Sequence, residues 1–435
     1  MRTASILRRA LACGILAWML AAGGCATPAS IATPPVAATA DAQPAQHAVV
    51  PHLRRDWTFP ADGVVFDNRL PAARLNDVTR LAPGHYRLRI EPEILPVNPS
   101  PWYGFRVATD APRALALEFD YPAGYRHRYV PKLSTDGHRW REAPAHAFSL
   151  DDDGRARLQV EVGSQPLQVF AQPPLLPADV AAWTTRLGQR VALEQQVFGR
   201  SLAGRPLHLF AFGGDTQAPL VLVIGRQHPP ENTGHLALME FVDALAADTP
   251  LARDFRRRYR VLVAPMLNPD GVVEGHWRGN LAGADLNRDW GPFAQPETRA
   301  LRDALEEEGE RRGVAFAIDF HSTFRDMFYT VDKDPSRRPG GVLHDWIQAM
   351  HERFPGRIEV KTYAATSAVF KNWAYCRFGA AAVTYEVGDA TTPAALGEVS
   401  GHAASSLMGR LMAVPATGPA PGDCPGSPGS PAHGP

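Results

Sequence analysis

Hydrophobic and polar positions alternate with different periods in two parts of the chain. Between residues 51 and 173, which we call the sandwich region, short runs alternate position by position, as at residues 86–90 (YRLRI) and 114–119 (ALALEF). Proline, glycine, aspartate and asparagine separate these runs. A period of two is typical of strands that bury one face, so this region is predicted to be an antiparallel β-sandwich.

A second pattern occupies residues 174–412, which we call the α/β region. Continuous apolar runs, typical of buried strands, alternate there with runs of helical spacing. Strands are predicted at residues 219–225, 260–264, 314–320 and 380–387, and helices at 234–245, 297–308 and 341–354. This alternation predicts an α/β fold with a mixed sheet, whose functional site lies beyond the carboxyl ends of the strands.

The composition excludes some classes of function. The chain has 435 residues, with 45 lysines and arginines against 45 aspartates and glutamates, so its formal net charge is zero. Nucleic-acid binding draws on a basic surface, and this balance argues against it. The length suffices for two domains, and four cysteines are too few for a fold built on disulfides.

The first 24 residues have the three parts of a secretory signal. Three arginines precede an apolar stretch at residues 10–22, and small residues stand directly before Cys25. These features resemble a bacterial lipoprotein signal, which implies a lipid on Cys25 and an outer-membrane lipoprotein that faces the periplasm of a Gram-negative bacterium. A secreted or soluble periplasmic protein is the alternative. The membrane is expected as a partner only through the lipid anchor.

Two further segments have compositions that do not favour a packed core. Residues 25–50 are rich in alanine, proline and threonine and are predicted to be a flexible tether. Residues 413–435 are rich in proline and glycine and are predicted to be disordered. Cys424 lies in this tail and Cys376 in the α/β region. An oxidising compartment would permit a disulfide between them, and the sequence leaves the pairing open.

Side chains that bind metals follow two of the predicted strands. His228 and Glu231 come after the strand at 219–225, and His321 comes after the strand at 314–320. Two imidazoles and one carboxylate are a recurring catalytic zinc set, with a fourth position left for water. Either segment alone is a weak signal, because a histidine three residues before a glutamate arises easily by chance.

Further motifs follow in a fixed order along the α/β region. They are GRS at residues 199–201, NPDG at 268–271, DLNR at 285–288 and TYE at 384–386. Together with the histidine segments, this series resembles the zinc carboxypeptidases of the M14 family over about residues 175–412. The whole series is far more specific than any one motif. The resemblance implies one zinc ion per chain and hydrolysis of the C-terminal residue of peptides that have a free terminal carboxylate.

Motifs of the sandwich region indicate which subgroup of the family the chain resembles. Residues 102–107 (WYGFRV), residues 129–131 (YVP) and Trp140 resemble the corresponding part of cytosolic carboxypeptidase-like members. The predicted export signal departs from that subgroup's name, so the subgroup describes ancestry rather than location. Pro230 replaces the arginine that the family has between the first histidine and the glutamate, which puts one secondary substrate contact in question.

Five residues take the metal-binding and proton-transfer roles that the resemblance implies. His228, Glu231 and His321 would bind the zinc ion, and Asp285 would orient His228. Such a carboxylate fixes the tautomer of a ligating histidine and raises its basicity. Glu386 would take a proton from the attacking water and deliver it to the leaving amine. A strand-end charge without a catalytic role is the alternative for Glu386.

Five more residues take substrate-binding roles in the same resemblance. Arg278 would polarise the scissile carbonyl group and stabilise the oxyanion. Asn287 and Arg288 would grip the terminal carboxylate, to which a guanidinium offers two parallel hydrogen bonds. Tyr363 is near the place of the family's mobile tyrosine. Lys371 lies where the family sets side-chain preference, so a preference for an acidic C-terminal residue is expected. Ordinary surface positions are the alternative for Lys371 and both arginines.

Two other functions stay open at this point. One is a zinc amidohydrolase of the succinylglutamate desuccinylase and aspartoacylase type, which shares the zinc ligands and the DLNR segment. The other is a non-enzymatic surface lipoprotein that binds peptides or glycans, for which a missing ligand or base would be expected. Under the peptidase hypothesis, the predicted envelope location suggests peptidoglycan stem peptides or scavenged peptides as substrates.

Overall fold

The computed structural model describes residues 49–151, 154–331 and 341–414. The predicted signal, Cys25, most of the tether and the tail with Cys424 lie outside these residues. Export and lipidation therefore stay predictions, and the pairing of Cys376 with Cys424 stays open. Within the described residues, no helix combines the length and the apolar character that a membrane crossing requires.

Two sheets form the sandwich region. The first has the spatial order β1 (Asp56–Phe59), β2 (Val64–Asp67), β5 (Gly104–Thr109), β11 (Leu167–Phe170), β7 (Lys132–Ser134) and β8 (Arg141–Glu142). The second has the order β3 (Asp77–Ala82), β4 (His85–Arg89), β6 (Arg113–Asp120), β10 (Ala156–Val162) and β9 (Phe148–Leu150). Both sheets contribute to one apolar core, in which the rings of Phe66 and Tyr86 lie 5.0 Å apart. Burial alternates along β10 with the period that predicts a strand.

One strand pair departs from the antiparallel arrangement that the sequence predicts. β4 and β6 run parallel, with His85 opposite Ala116 and Arg89 opposite Asp120. The reason is the path between them, because β5 lies in the other sheet. β4 and β6 are therefore not joined by a hairpin, which is the connection that would make them antiparallel. The other pairs of the two sheets are antiparallel.

A mixed eight-stranded sheet forms the centre of the α/β region, which confirms the predicted fold class. Its order is β12 (Glu194–Arg200), β13 (Pro206–Phe212), β15 (Arg260–Ala264), β14 (Leu220–Gly225), β16 (Val314–Thr323), β19 (Ala381–Gly388), β17 (Met327–Thr330) and β18 (Glu359–Thr362). The four central strands β15, β14, β16 and β19 are mutually parallel. Their carboxyl ends therefore meet at one edge of the sheet, where a functional site is expected.

Helices cover both faces of this sheet. In the described residues they are α1 (Pro177–Gly188), α2 (Asn232–Leu245), α3 (Pro250–Arg258), α4 (Pro269–Glu274), α5 (Pro296–Arg312), α6 (Val342–Arg353), α7 (Phe370–Phe378) and α8 (Pro393–Ala413). Several begin at a proline, whose missing N–H costs nothing in the first turn. Alternate residues of β14 enter two different cores, with Val221 and Val223 on one face and Leu222 and Ile224 on the other. Burial on both faces explains why this strand is continuously apolar.

Candidate metal centre and active site

Three side chains, one on a strand and two on the connection between β14 and α2, converge at the carboxyl edge of the sheet. His228 follows β14, Glu231 stands immediately before α2, and His321 lies near the end of β16. All three residues are buried, and one ligand atom from each lies within 4.8 Å of the others. Glu231 Oε1 lies 2.9 Å from His228 Nδ1, and its Oε2 lies 2.7 Å from His321 Nδ1.

The other nitrogen of each imidazole ring faces a carboxylate. His228 Nε2 donates to Asp285 Oδ1 over 2.9 Å, and His321 Nε2 donates to Asp319 Oδ2 over 2.7 Å. In neutral rings this network places both protons on Nε2 and leaves both Nδ1 atoms as acceptors. The two Nδ1 atoms nevertheless lie 3.1 Å apart and both face Glu231. Converging lone pairs of this kind fit a cation, and two imidazoles with one carboxylate fit zinc.

Close packing of α2 against β16 holds Glu231 near His321. Ser322 Oγ accepts hydrogen bonds from the backbone N–H of Gly234, over 2.7 Å, and from the hydroxyl of Thr233, over 2.9 Å. A Cβ atom at Gly234 would lie only 2.2 Å from the carbonyl oxygen of His321, so this approach requires glycine. The start of the helix is thereby fixed against the strand that carries the second histidine.

Glu386 lies beside this ligand group because of strand register. β16 and β19 are parallel, and Glu386 is the register partner of His321. The sequence predicts a strand that ends at residue 320, just before His321. The observed strand β16 extends to Thr323, because its pairing with β19 continues that far. Burial raises the pKa of Glu386 to about 7. Among the described residues, its buried oxygen Oε2 has no hydrogen-bond partner, which suits a group that accepts a proton.

Arg278 and Asp285 extend the network of the first histidine. Arg278 Nε donates to Asp285 Oδ2 over 2.7 Å, while Asp285 Oδ1 accepts from His228. Burial alone would raise the pKa of Asp285, but the charge of Arg278 and the hydrogen bond from His228 hold it well below its usual range. Asp285 therefore stays ionised and joins the predicted carbonyl-polarising arginine to a predicted metal ligand.

Asn287 and Arg288 lie next in sequence, on a 3₁₀ turn at Leu286–Arg288. The side-chain amide of Asn287 is directed toward the metal group, since its Nδ2 lies 3.1 Å from His321 Nε2. Its Oδ1 accepts the backbone N–H of Phe370 over 3.1 Å, which ties the turn to the start of α7. Arg288 is half-buried, and its Nη1 donates to the carbonyl oxygen of Asn287 over 2.7 Å.

Lys371 is a buried lysine in the first turn of α7. Only 2% of its surface is exposed, so the alternative of a solvated surface lysine is wrong. Its Nζ donates to the side chain of Asn372 over 2.7 Å. Burial, together with the nearby charge of Arg288, lowers the pKa of Lys371 to about 8. The two cations thus lie close to each other.

Tyr363 is the most exposed of the predicted site residues. It follows β18, is 41% exposed, and its ring lies 4.8 Å from the ring of Tyr329. Tyr329 is close to both Tyr363 and Glu386, since burial together with these two neighbours raises its pKa. Tyr329 therefore neighbours both the exposed tyrosine and Glu386.

Several residues of the site were missed by sequence reasoning. Asp319 accepts from His321 and also from Gln227 Nε2 over 2.7 Å, and it is fully buried. The spacing of Asp319 and His321 could have indicated this pair, because residues two apart on a strand share a face. Glu93 and Arg128, both from the sandwich region, contact segments that carry site residues. No local pattern indicated these two, because their partners are far away in sequence.

Comparison with known sequences gives a consistent result for the α/β region. Residues 181–399 match the sequence model of the Peptidase_M14 family, described as zinc carboxypeptidase. Cytosolic carboxypeptidase 2 of Macaca fascicularis is 33% identical over 140 residues, which are 30% of this chain and 17% of that protein. Cytosolic carboxypeptidase 3 of Mus musculus is 25% identical over 295 residues, which are 60% of this chain and 29% of that protein. The chain thus spans less than a third of the length of these two curated relatives.

A solved structure extends the likeness to both regions. The crystal structure of a metallo-carboxypeptidase from Burkholderia cenocepacia matches with a TM-score of 0.67 at 22% identity. The match covers 80% of this chain and 99% of that chain, which is more than the α/β region alone could supply. At this identity the likeness shows a shared fold, including an N-terminal β-rich part before the α/β region.

Proposed function

This chain belongs to the zinc carboxypeptidase family, and we propose that it is a zinc-dependent metallocarboxypeptidase that removes the C-terminal residue of peptides. The observation that carries the proposal is the pairing of His321 with Glu386 across two parallel strands. This register puts a carboxyl group, one oxygen of which has no hydrogen-bond partner in the described part of the chain, beside a group of three potential ligands. A binding protein would not need a base there, so the arrangement favours an enzyme over a peptide-binding lipoprotein.

The zinc ion would be held by Nδ1 of His228, a carboxylate oxygen of Glu231 and Nδ1 of His321. When bound, zinc supplies Lewis-acid polarisation of a carbonyl group and lowers the pKa of water. Glu386 accepts a proton from the water that attacks the scissile carbonyl carbon, and then delivers that proton to the nitrogen of the leaving amine. A pKa near 7 suits both steps, since the same carboxyl group must bind and release a proton at neutral pH.

Arg278 and the residues after it would bind the substrate. The Nε of Arg278 is engaged by Asp285, and we assign its terminal amino groups to the oxygen of the scissile carbonyl. Arg288 would bind the terminal carboxylate as a bidentate partner together with Asn287, whose Oδ1 also holds the start of α7. Tyr363 would close over the bound residue from the exposed side.

Lys371 supports a finer proposal about the side chain that is removed. Its ammonium group is buried and near the positive charge of Arg288, so an added anion would balance two neighbouring cations. A C-terminal glutamate, or another residue with a distal carboxylate, would provide that balance. We therefore expect peptides that end in glutamate to be cleaved faster than matched peptides that end in phenylalanine or lysine.

The proposal is tested by metal analysis together with substrate comparison. Purified protein should contain about one zinc per chain, and His321→Ala should lose both the metal and the cleavage of a glutamate-terminated dipeptide. The same preparations are offered N-acetylaspartate. Hydrolysis of that compound in place of the dipeptide would instead assign an amidohydrolase, and metal-free, inactive wild-type protein would contradict both enzymes. Wild-type protein that binds the dipeptide without cleaving it would favour the binding protein.

A further inference from the structure

The segment that carries Arg278 is held by the sandwich region. Ala72 donates its backbone N–H to the carbonyl oxygen of Val273 over 2.7 Å. Gly275, with φ of 66°, approaches so closely that a Cβ atom there would lie 2.7 Å from the carbonyl oxygen of Ala72. Trp277 is fully buried within the core of the sandwich region, and its indole N–H donates to the carbonyl oxygen of Trp102 over 2.9 Å. The residues that lead to Arg278 thus pack as part of the sandwich.

Glu93 fixes the backbone at Arg278 itself. This glutamate lies in the sandwich region between β4 and β5 and has no exposed surface. Its Oε2 accepts the backbone N–H of Trp277 over 2.7 Å, and its Oε1 accepts those of Arg278, over 3.0 Å, and Gly279, over 2.6 Å. Three successive N–H groups on one carboxylate define the backbone conformation of this turn. Burial opposes ionisation, but His276, Arg74 and these N–H groups lower the pKa of Glu93, so it accepts as a carboxylate.

We propose that Glu93 is a positioning residue that acts through Arg278, so that the sandwich region sets the geometry of the active site. This inference rests on the proposed function, in which the Arg278 guanidinium stabilises the oxyanion. The backbone of Arg278 is fixed by Glu93, and its Nε is fixed by Asp285, which also bonds His228. With both ends held, the guanidinium has one position relative to the metal ligands.

The expected effect is on the rate of the chemical step. An arginine that binds only the developing oxyanion lowers the barrier without tightening the ground state, so its displacement reduces kcat and leaves KM nearly unchanged. A displacement of about 1 Å in an active site costs on the order of 100-fold in rate. Glu93→Gln should reduce kcat by about 10- to 100-fold, because an amide cannot accept all three N–H groups.

Asp62 provides a matched control in the same region. It is 3% exposed and accepts hydrogen bonds from Arg80 Nε over 2.7 Å and from the Tyr86 hydroxyl over 2.6 Å, all within the sandwich. Asp62→Asn therefore removes a buried charge and weakens the sandwich without touching the Arg278 segment. If Glu93 served stability alone, both variants would lower Tm and change kcat alike.

The experiment compares wild type, Glu93→Gln and Asp62→Asn in full-length, zinc-loaded protein. We measure kcat and KM on a glutamate-terminated peptide, zinc content, and hydrogen exchange at the amides of residues 277–279. The expected result is a loss of kcat and of amide protection in Glu93→Gln alone, with zinc retained. In an Arg278→Ala background, Glu93→Gln should change kcat by less than about 2-fold, because its effect passes through the missing guanidinium.

Equal losses of kcat in Glu93→Gln and Asp62→Asn would overturn the inference, as would an undiminished effect of Glu93→Gln in the Arg278→Ala background. If wild-type protein cleaves no peptide, the proposed function fails, and the exchange data then decide this inference by themselves. Selective loss of protection at residues 277–279 in Glu93→Gln would still support positioning by Glu93. Unchanged protection there would contradict it.

Discussion

The two halves of the candidate site are built in different ways. The metal-binding half, with His228, Glu231 and His321, lies at the ends of β14 and β16 and is entirely buried. Each histidine has a carboxylate on its far nitrogen. The substrate-binding half lies on a 3₁₀ turn, a helix start and a loop, and its exposure ranges from 2% at Lys371 to 41% at Tyr363.

This difference indicates that the metal-binding half is rigid, whereas the substrate-binding half can vary. Parallel register fixes the relative positions of His321 and Glu386, and such backbone pairing is hard to displace. The substrate-binding residues are fixed by side-chain contacts on connecting segments, which vary more easily without loss of the fold. We therefore expect substitutions in the first half to abolish chemistry or metal binding, and substitutions in the second half to change which substrate is preferred.

The largest effect is expected at Glu386. Glu386→Gln removes the proton acceptor but preserves the shape of the side chain, so kcat should fall by roughly 100- to 10,000-fold while zinc stays bound. Steady-state kinetics and metal analysis on the same sample measure both quantities. Glu398→Gln, on the exposed side of α8, is the matched control and should leave kcat unchanged. Near-normal turnover in Glu386→Gln would remove this residue from the mechanism.

A smaller effect is expected at Asp319, and it concerns the affinity for zinc. Asp319→Asn replaces the carboxylate that holds the Nε2 proton of His321, so zinc affinity should fall by about 10- to 100-fold. Competition with a chelator of known affinity measures the change. Asp62→Asn, which is far from the ligands, should retain the wild-type affinity. Equal zinc affinity in Asp319→Asn and wild type would show that the carboxylate does not tune this ligand.

The smallest effect is expected at Lys371, and it concerns the preference for an acidic C-terminal side chain. Because burial lowers its pKa to about 8, Lys371 is charged below that pH and loses its proton as the pH rises through it. The ratio of kcat/KM for glutamate- over glutamine-terminated peptides should therefore be high near pH 6.5 and decline above pH 8. Lys371→Met should lower the ratio by about 10-fold near pH 6.5 and make it independent of pH.

Lys361→Met is the control for that measurement, because Lys361 is an exposed lysine paired with Glu359 on β18. In Lys361→Met, the ratio of kcat/KM for glutamate- over glutamine-terminated peptides should depend on pH as it does in wild type. A glutamate preference that persists in Lys371→Met would assign the recognition of the acidic side chain to Arg288 or to another group.

Sequence reasoning located the elements well where burial determines the residue pattern. The predicted strand at 260–264 is β15 as observed, and the strand at 219–225 and the helix at 234–245 differ from β14 and α2 by one or two residues. The sandwich strands were also recognised from their alternation. The sandwich is antiparallel as predicted except at β4 and β6, which run parallel, because the order of strands within two sheets is not encoded in any local pattern.

The sequence by itself determined the family and the fold class, and it predicted most of the residues of the candidate site. These follow from short motifs and local periodicity, which depend on residues close together along the chain. Asp319 belongs with these residues, because it lies two positions before His321 and residues two apart on a strand share a face.

Only the tertiary structure decided which groups meet across long separations. The register of β16 with β19 places Glu386 beside His321, and the burial of Lys371 distinguishes it from a surface lysine. Glu93 reaches Arg278 across 185 positions of sequence. Such contacts depend on how two packed regions fit together, and no short segment of either region carries that information.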